Sequence, residues 1–87
     1  MEDNLIFVEG YVIKYLHDNI NILSNELKVQ LNYLDSQNLK YFFEIIISGG
    51  AYSLQVNEMD CNLEFIPDKE FLRYVRKEKL KRIKDAR

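Results

Sequence analysis

The sequence predicts a small α+β domain, with a helix at each end and an antiparallel sheet of three to four strands between them. Apolar residues recur at helical spacing near the start, and segments rich in β-branched and aromatic residues alternate with turn residues in the middle. A Pro-initiated amphipathic segment follows. Because two domains cut from 87 residues would be too small to build cores, we expect one domain over residues 1–87.

The first element is a helix from Asn4 to about Leu23. Its apolar residues fall three or four positions apart, which places them on one helical face. Gly10 costs about 1 kcal/mol there relative to Ala, so a break at Gly10 or near His17 to Asn21 is an alternative. The residues of the predicted face are Leu5, Val8, Val12, Leu16, Ile20 and Leu23.

The segment 27–33 alternates between apolar and polar residues, which favours a strand with one wet face. The same region also fits a second helix, through Ile20, Leu23, Leu27, Leu31 and Leu34. We favour a strand at 27–33 over a second helix within residues 20–34.

Strands at 40–48 and 51–56 read as a hairpin with Gly49 and Gly50 at its tip. Gly tolerates the positive φ of a two-residue primed turn. This tip sets Ile47 opposite Tyr52 and places the inward residues of both strands on one apolar face.

The residues "NEMD" (57–60) then lead to a strand at 61–66. This link sets Val56 opposite Cys61 and points Cys61 inward, where a free thiol behaves as a small hydrophobe. The opposite face of the three strands is half polar, and we expect it to be partly exposed.

The last helix begins at about residue 67, because Pro67 suits a first helical turn and Asp68 and Glu70 suit the helix dipole. Its apolar side should cover the sheet. That side consists of Phe71, Leu72, Val75, Leu80 and Ile83.

The net charge of −2 hides an asymmetry along the chain. Residues 1–68 hold 11 acids and three lysines, whereas residues 69–87 hold nine bases and three acids. The asymmetry indicates an interaction surface, or an internal match between a basic helix and an acidic sheet.

One cysteine, an acidic start without a secretory pattern and the lack of a long apolar run predict a cytoplasmic protein that does not enter membranes. His17 and Cys61 could form a nucleophile pair, but each fits an ordinary structural role better. Ligand spacing predicts no metal site, and Ser48 to Gly50 fits a hairpin rather than a phosphate loop. We therefore expect no enzymatic activity, no catalytic residues and no cofactor.

The acidic residues 1–68 suggest a surface that binds a basic protein partner, with an apolar centre and acidic residues around it. Its candidate residues are Phe42, Glu44, Ile46, Glu58, Asp60 and Glu64. The most concrete hypothesis is a bacterial immunity protein that inhibits a nuclease-type toxin, since a nuclease domain carries positive surface for its substrate. A phage-encoded inhibitor of a host defence nuclease is an alternative, and a homodimer through the same face is compatible with both.

A nucleic-acid-binding or regulatory module is the alternative from a different class. Basic residues of the last helix would contact phosphates, although a dedicated nucleic-acid domain is usually basic overall and this chain has a pI near 5.3. The candidate contacts are Arg73, Arg76, Lys77, Lys81, Arg82 and Lys84.

Overall fold

The structure is a computed structural model that describes the backbone of residues 2–20 and 27–85 and the side chains of residues 5–20 and 27–81. Four strands form one antiparallel sheet in the order β1-β2-β3-β4. The predicted α+β fold is confirmed. The elements are α1 (Glu2–Asn19), β1 (Lys28–Asp35), β2 (Lys40–Ile47), β3 (Gly50–Met59), β4 (Asn62–Pro67) and α2 (Lys69–Asp85).

Helix α1 continues through Gly10 without a break and ends at Asn19. The Asn19 side-chain amide donates to the Tyr15 carbonyl oxygen at 2.8 Å in the last turn. The predicted apolar face is confirmed as far as Ile20, and the predicted end at Leu23 lies outside the described residues. Its fully buried members are Val8, Val12, Leu16 and Ile20.

Strand β1 confirms the strand reading over Lys28–Asp35, so the helical alternative is wrong for these residues. Val29 and Leu31 face Ile45 and Phe43 of β2. The register then shifts between Leu31 and Tyr33. This bulge puts Tyr33 on the opposite face from Leu31, whereas strict alternation had predicted the same face.

The β2–β3 hairpin has a two-residue turn, as predicted, but the turn consists of Ser48 and Gly49. Both have positive φ, 51° and 80°, as a type I′ turn requires. Ile47 therefore faces Gly50 rather than Tyr52. The end of the Tyr52 side chain lies over Gly50, so a Cβ at this position would require that ring to shift. The shift spans two residues, so every side chain keeps its predicted face.

The β3–β4 hairpin differs more from the prediction, because β3 continues to Met59 and the turn consists of Asp60 and Cys61. Val56 faces Phe65 rather than Cys61. Cys61 is exposed at the turn, so its predicted inward position is wrong. The pairing of Glu58 with Leu63 adds ladder hydrogen bonds that a four-residue loop would forgo.

The turn conformation at Cys61 leads to a stability prediction. Its φ of 64° is unfavourable for an L-residue with a Cβ. We expect Cys61→Gly to raise the free energy of unfolding by about 0.5–1 kcal/mol, measured by urea denaturation. Ala51→Gly, at an exposed strand position with ordinary φ, should lower it instead. Equal changes in both variants would contradict the turn assignment.

Helix α2 begins at Lys69, two residues later than predicted, because Pro67 still pairs with Leu54 as the end of β4. Asp68 caps the helix: its Oδ1 accepts a hydrogen bond from the Phe71 N–H at 2.7 Å. The carboxylate also holds the sheet, since Oδ2 accepts from the Ser53 N–H at 3.0 Å.

Among the described side chains, α2 buries apolar residues only in its first two turns. Phe71 and Val75 are buried, whereas Leu72 and Leu80 are exposed, so the prediction that the whole apolar side would pack on the sheet is wrong. The Tyr74 hydroxyl already lies 3.4 Å from the Ser48 Oγ at the β2–β3 turn. In the next turn Leu80 is exposed, whereas Glu78 is half-buried. The Ile83 side chain lies outside the described part.

Both helices pack on the same face of the sheet, which we call the inner face. Tyr15 of α1 stacks on Phe65 of β4, and Phe71 of α2 packs edge-on against Tyr52 of β3. Neither described helix has the length and apolarity needed to cross a membrane. The sheet contributes Tyr41, Phe43, Ile45, Ile47, Leu54 and Val56 to the buried core.

Candidate functional site

The described helices leave uncovered the opposite side of the sheet, which we call the outer face. Alternation along the strands sends every second side chain to it. Its apolar members are Tyr33, Phe42, Ile46 and Ile66, and its polar members include Glu44, Ser53, Gln55 and Glu64.

The bulge in β1 builds the centre of the outer face. It turns Tyr33 beside Phe42, with the ring centroids 5.7 Å apart, and leaves Tyr33 62% exposed. Without the bulge, Tyr33 would lie on the inner face with Leu31. The sequence did not identify Tyr33 as a surface residue, because residues 31–33 are equally compatible with a regular strand and with a bulged one.

A shallow depression of about 290 Å³ lies beside this aromatic pair. Phe42, Gln55 and Ile66 line it, together with Asp68 at the start of α2. The Gln55 amide donates to the Asn57 Oδ1 at 2.7 Å, which holds its polar end in place. The surface thus combines apolar walls with oriented polar groups, as protein-binding patches do.

The outer face carries charges of both signs. Its acidic residues are Asp35, Glu44 and Glu64, and its basic residues are Lys28 and Lys40. Hydrogen bonds to the Asp35 carboxylate, from the Asn38 side chain first and then from backbone N–H groups, keep its pKa below the ordinary value. The two lysines, which were not part of the predicted site, make the border less acidic than the sequence suggested.

The structure brings together four of the six predicted partner-binding residues. Phe42, Glu44, Ile46 and Glu64 share the outer face. Asp60 lies in the β3–β4 turn, where it was expected. Glu58 is different: it belongs to β3 on the inner side, so its predicted place in a turn at the border of the outer face is wrong.

Glu58 instead pairs with a core tyrosine. Its Oε2 accepts a hydrogen bond from the Tyr41 hydroxyl at 2.9 Å. Burial, and then this bond to a carboxylate, raise the pKa of Tyr41 above its ordinary value. Glu58 thus provides the hydrogen-bond acceptor for the hydroxyl of a tyrosine in the core, which is a structural role.

The predicted nucleic-acid contacts lie on α2. Arg73, Arg76, Lys77 and Lys81 are exposed, and the side chains of Arg82 and Lys84 lie outside the described residues. Arg73 pairs with Glu70 at 2.8 Å and Lys81 approaches Glu78 at 3.9 Å. Both ion pairs found among the described side chains thus lie within α2, so the predicted match between basic helix and acidic sheet is not observed there.

His17 lies exposed in the last turn of α1, and Cys61 is exposed in the β3–β4 turn. Within the described side chains, no three of His, Cys, Asp or Glu are grouped as a metal ion would require. The aromatic residues Tyr41, Phe43, Tyr52 and Phe65 pack on the inner face, so they offer no exposed surface on which nucleic-acid bases could stack.

Comparison with known proteins returns no matching family model, no curated protein and no solved structure of significant similarity.

Proposed function

We propose that this protein is a non-enzymatic binding module that docks a partner protein on the outer face of its sheet. The observation that carries the proposal is the contact between Tyr33, which a bulge turns to the outer face, and Phe42 beside it. The Tyr33 ring is 62% exposed and thus forgoes burial that would stabilise the fold, while Phe42 beside it is half-buried. Burial of the Tyr33 ring against a partner restores that contribution, which is why aromatic residues dominate binding energy in protein interfaces.

The proposed partner is a basic protein, most concretely the nuclease domain of a bacterial toxin that this protein would neutralise as an immunity protein in the cytoplasm. Glu44 and Glu64 stand on the docking surface itself, and the chain outside α2 is strongly acidic. Opposite charge speeds encounter and sets orientation, while the apolar centre holds the complex. Lys28 and Lys40 on the same face would fix the register by pairing with acids of the partner.

The test co-expresses the chain with candidate nuclease toxins, beginning with the product of the neighbouring gene. Immunity predicts cell survival and suppressed cleavage of DNA or RNA by an equimolar amount of the protein. Tyr33→Ala and Phe42→Ala should each weaken binding about tenfold or more, measured by calorimetry with the catalytically inactive toxin. Glu44→Lys and Glu64→Lys should slow association most at low salt.

Leu39→Ala is the matched control, because Leu39 is an exposed apolar residue in the β1–β2 turn rather than on the outer face. It should leave binding unchanged. Unchanged affinity of both Tyr33→Ala and Phe42→Ala for the toxin would contradict the docking surface. Binding without any loss of nuclease activity would leave a docking protein but contradict the immunity role.

A further inference from the structure

Strand β1 lies at an edge of the sheet, and its outer side is open among the described residues. It pairs with β2 on one side, and no backbone hydrogen bond between described residues reaches its other side. Five of its eight side chains are exposed. Because an edge strand presents a row of unpaired N–H and C=O groups, another strand can pair with it.

The two edges of the sheet differ in their protection against such pairing. Strand β4 forms the other edge, has six residues and ends at Pro67, which has no N–H to donate to a ladder. Strand β1 has eight residues and no proline, and its one lysine, Lys28, stands at the first position. Proline and inward-pointing charges commonly keep edge strands apart. Of the common devices β1 has a bulge, whose effect is to match the two ends of the strand.

The bulge gives β1 the same pattern of faces from either end. Counted from each end, the first and third side chains lie on the outer face and the second lies on the inner face. From the start these residues are Lys28, Val29 and Gln30, and from the finish they are Asp35, Leu34 and Tyr33. In a regular strand of eight residues the first and last side chains would point to opposite faces. Two β1 strands can therefore pair antiparallel with matching faces.

The two ends of β1 carry opposite charges on the same face. Lys28 begins the strand and Asp35 ends it, and both lie on the outer face. An antiparallel pair of β1 strands centred between Leu31 and Asn32 sets Lys28 of each copy opposite Asp35 of the other. Opposite charges directly across a ladder stabilise it, and like charges destabilise it. The charges of β1 are thus complementary to those of a second β1.

The same register also sets apolar side chains opposite each other. Leu34 lies on the inner face but is 42% exposed, and Val29 on that face is half-buried. The register places Val29 of each copy against Leu34 of the other, so both gain apolar burial. A shift by one residue would set inner side chains opposite outer ones, and a shift by two would separate Lys28 from Asp35.

We infer that the protein forms a two-fold symmetric dimer by antiparallel pairing of its two β1 strands. The four-stranded sheets then join into one continuous sheet, with both outer faces on the same side. One edge pairs with itself, which closes the assembly, and Pro67 keeps β4 from extending the sheet further. The inference does not depend on the proposed function, because the outer faces stay open to a partner.

Charge reversal at the two ends of β1 tests the register. The wild type should sediment as a dimer at about 100 μM, since a short strand pair belongs to the smaller interfaces. Lys28→Glu and Asp35→Lys should each raise the dimer dissociation constant about fivefold or more at low salt, because each sets like charges opposite each other twice. An equimolar mixture of the two variants should recover the wild-type constant, because every cross-strand charge pair in the mixed dimer joins opposite charges.

The mixture also separates pairing from folding. Asp35 accepts hydrogen bonds from the N–H groups of Gln37 and Asn38 in the β1–β2 turn, so Asp35→Lys removes these contacts as well. A loosened turn would not recover when a second variant is added. Failure of the mixture to associate more tightly than either variant alone would therefore overturn the inferred register.

Leu34→Lys should raise the dimer dissociation constant about tenfold or more, because it sets a charge against Val29 of the other copy. Ile66→Lys is the matched control, because Ile66 is also 42% exposed but lies on β4 at the other edge. It should leave the dimer intact. Leu34 lies on the inner face, so Leu34→Lys should leave toxin binding intact, and the dimer and the proposed function can fail separately.

Amide hydrogen exchange of the wild type locates the interface. Protection of the β1 amides should increase with protein concentration, while protection of the β4 amides should not change. A protein that stays monomeric at about 1 mM would overturn the dimer. Protection of β1 that appears only when a toxin is added would overturn the self-pairing, because the partner would then supply the added strand.

Discussion

Phe43→Ala should lower the free energy of unfolding by about 3–5 kcal/mol. Phe43 lies on the inner face of β2, is 1% exposed, and faces Leu31 on one side and Leu54 on the other. Its removal leaves a cavity in the middle of a sheet that the neighbouring strands cannot close. Because small domains are stable by roughly 5–15 kcal/mol in total, this single change should bring the protein close to unfolding at body temperature.

Phe42→Ala is the matched control for this prediction. Phe42 is the adjacent residue, of the same type and on the same strand, but it lies on the outer face and is partly exposed. We expect a loss of about 1 kcal/mol or less, measured by urea or thermal denaturation of both variants. Equal losses would contradict the assignment of one covered and one uncovered face. Phe43→Leu, which conserves most of the volume, should recover most of the stability.

Asp68→Ala should lower the free energy of unfolding by about 2 kcal/mol. One carboxylate oxygen caps α2 at the Phe71 N–H, and the other accepts from the Ser53 N–H of β3. The same side chain therefore starts the helix and fixes it to the sheet. Its loss should also loosen the angle at which α2 leaves the sheet, which hydrogen exchange at Phe71 would detect.

Asp68→Asn separates the two contacts. Asn retains an oxygen that can cap the helix, but its NH₂ group cannot accept from the Ser53 N–H. We expect about half the loss of Asp68→Ala. Glu70→Ala is the surface control, because Glu70 pairs only with exposed Arg73 in the described contacts, and it should change stability by less than about 0.5 kcal/mol. A loss at Glu70 as large as that at Asp68 would contradict the cap.

The candidate site was only partly predictable. Strict alternation correctly put Phe42, Glu44, Ile46 and Glu64 on one face, because the side-chain period of a strand holds under any register shift of two residues. The strand position of Glu58 was not predicted, since the length of β3 depends on where its turn forms. The outer-face position of Tyr33 was not predicted, because the same residues can pair with β2 either with or without a bulge.

The sequence by itself determined the order of the elements, the faces of β2, β3 and β4 and the amphipathic character of both helices, because these follow from local spacing and composition. Local patterns did not predict the turn positions, the bulge that exposes Tyr33, or the exposure of Leu72 and Leu80 on α2. Each of these depends on competition between long-range pairings that differ by a few hydrogen bonds and by the burial of one side chain. The pattern within one segment does not reveal this energy difference, because the difference also depends on the segment with which it pairs.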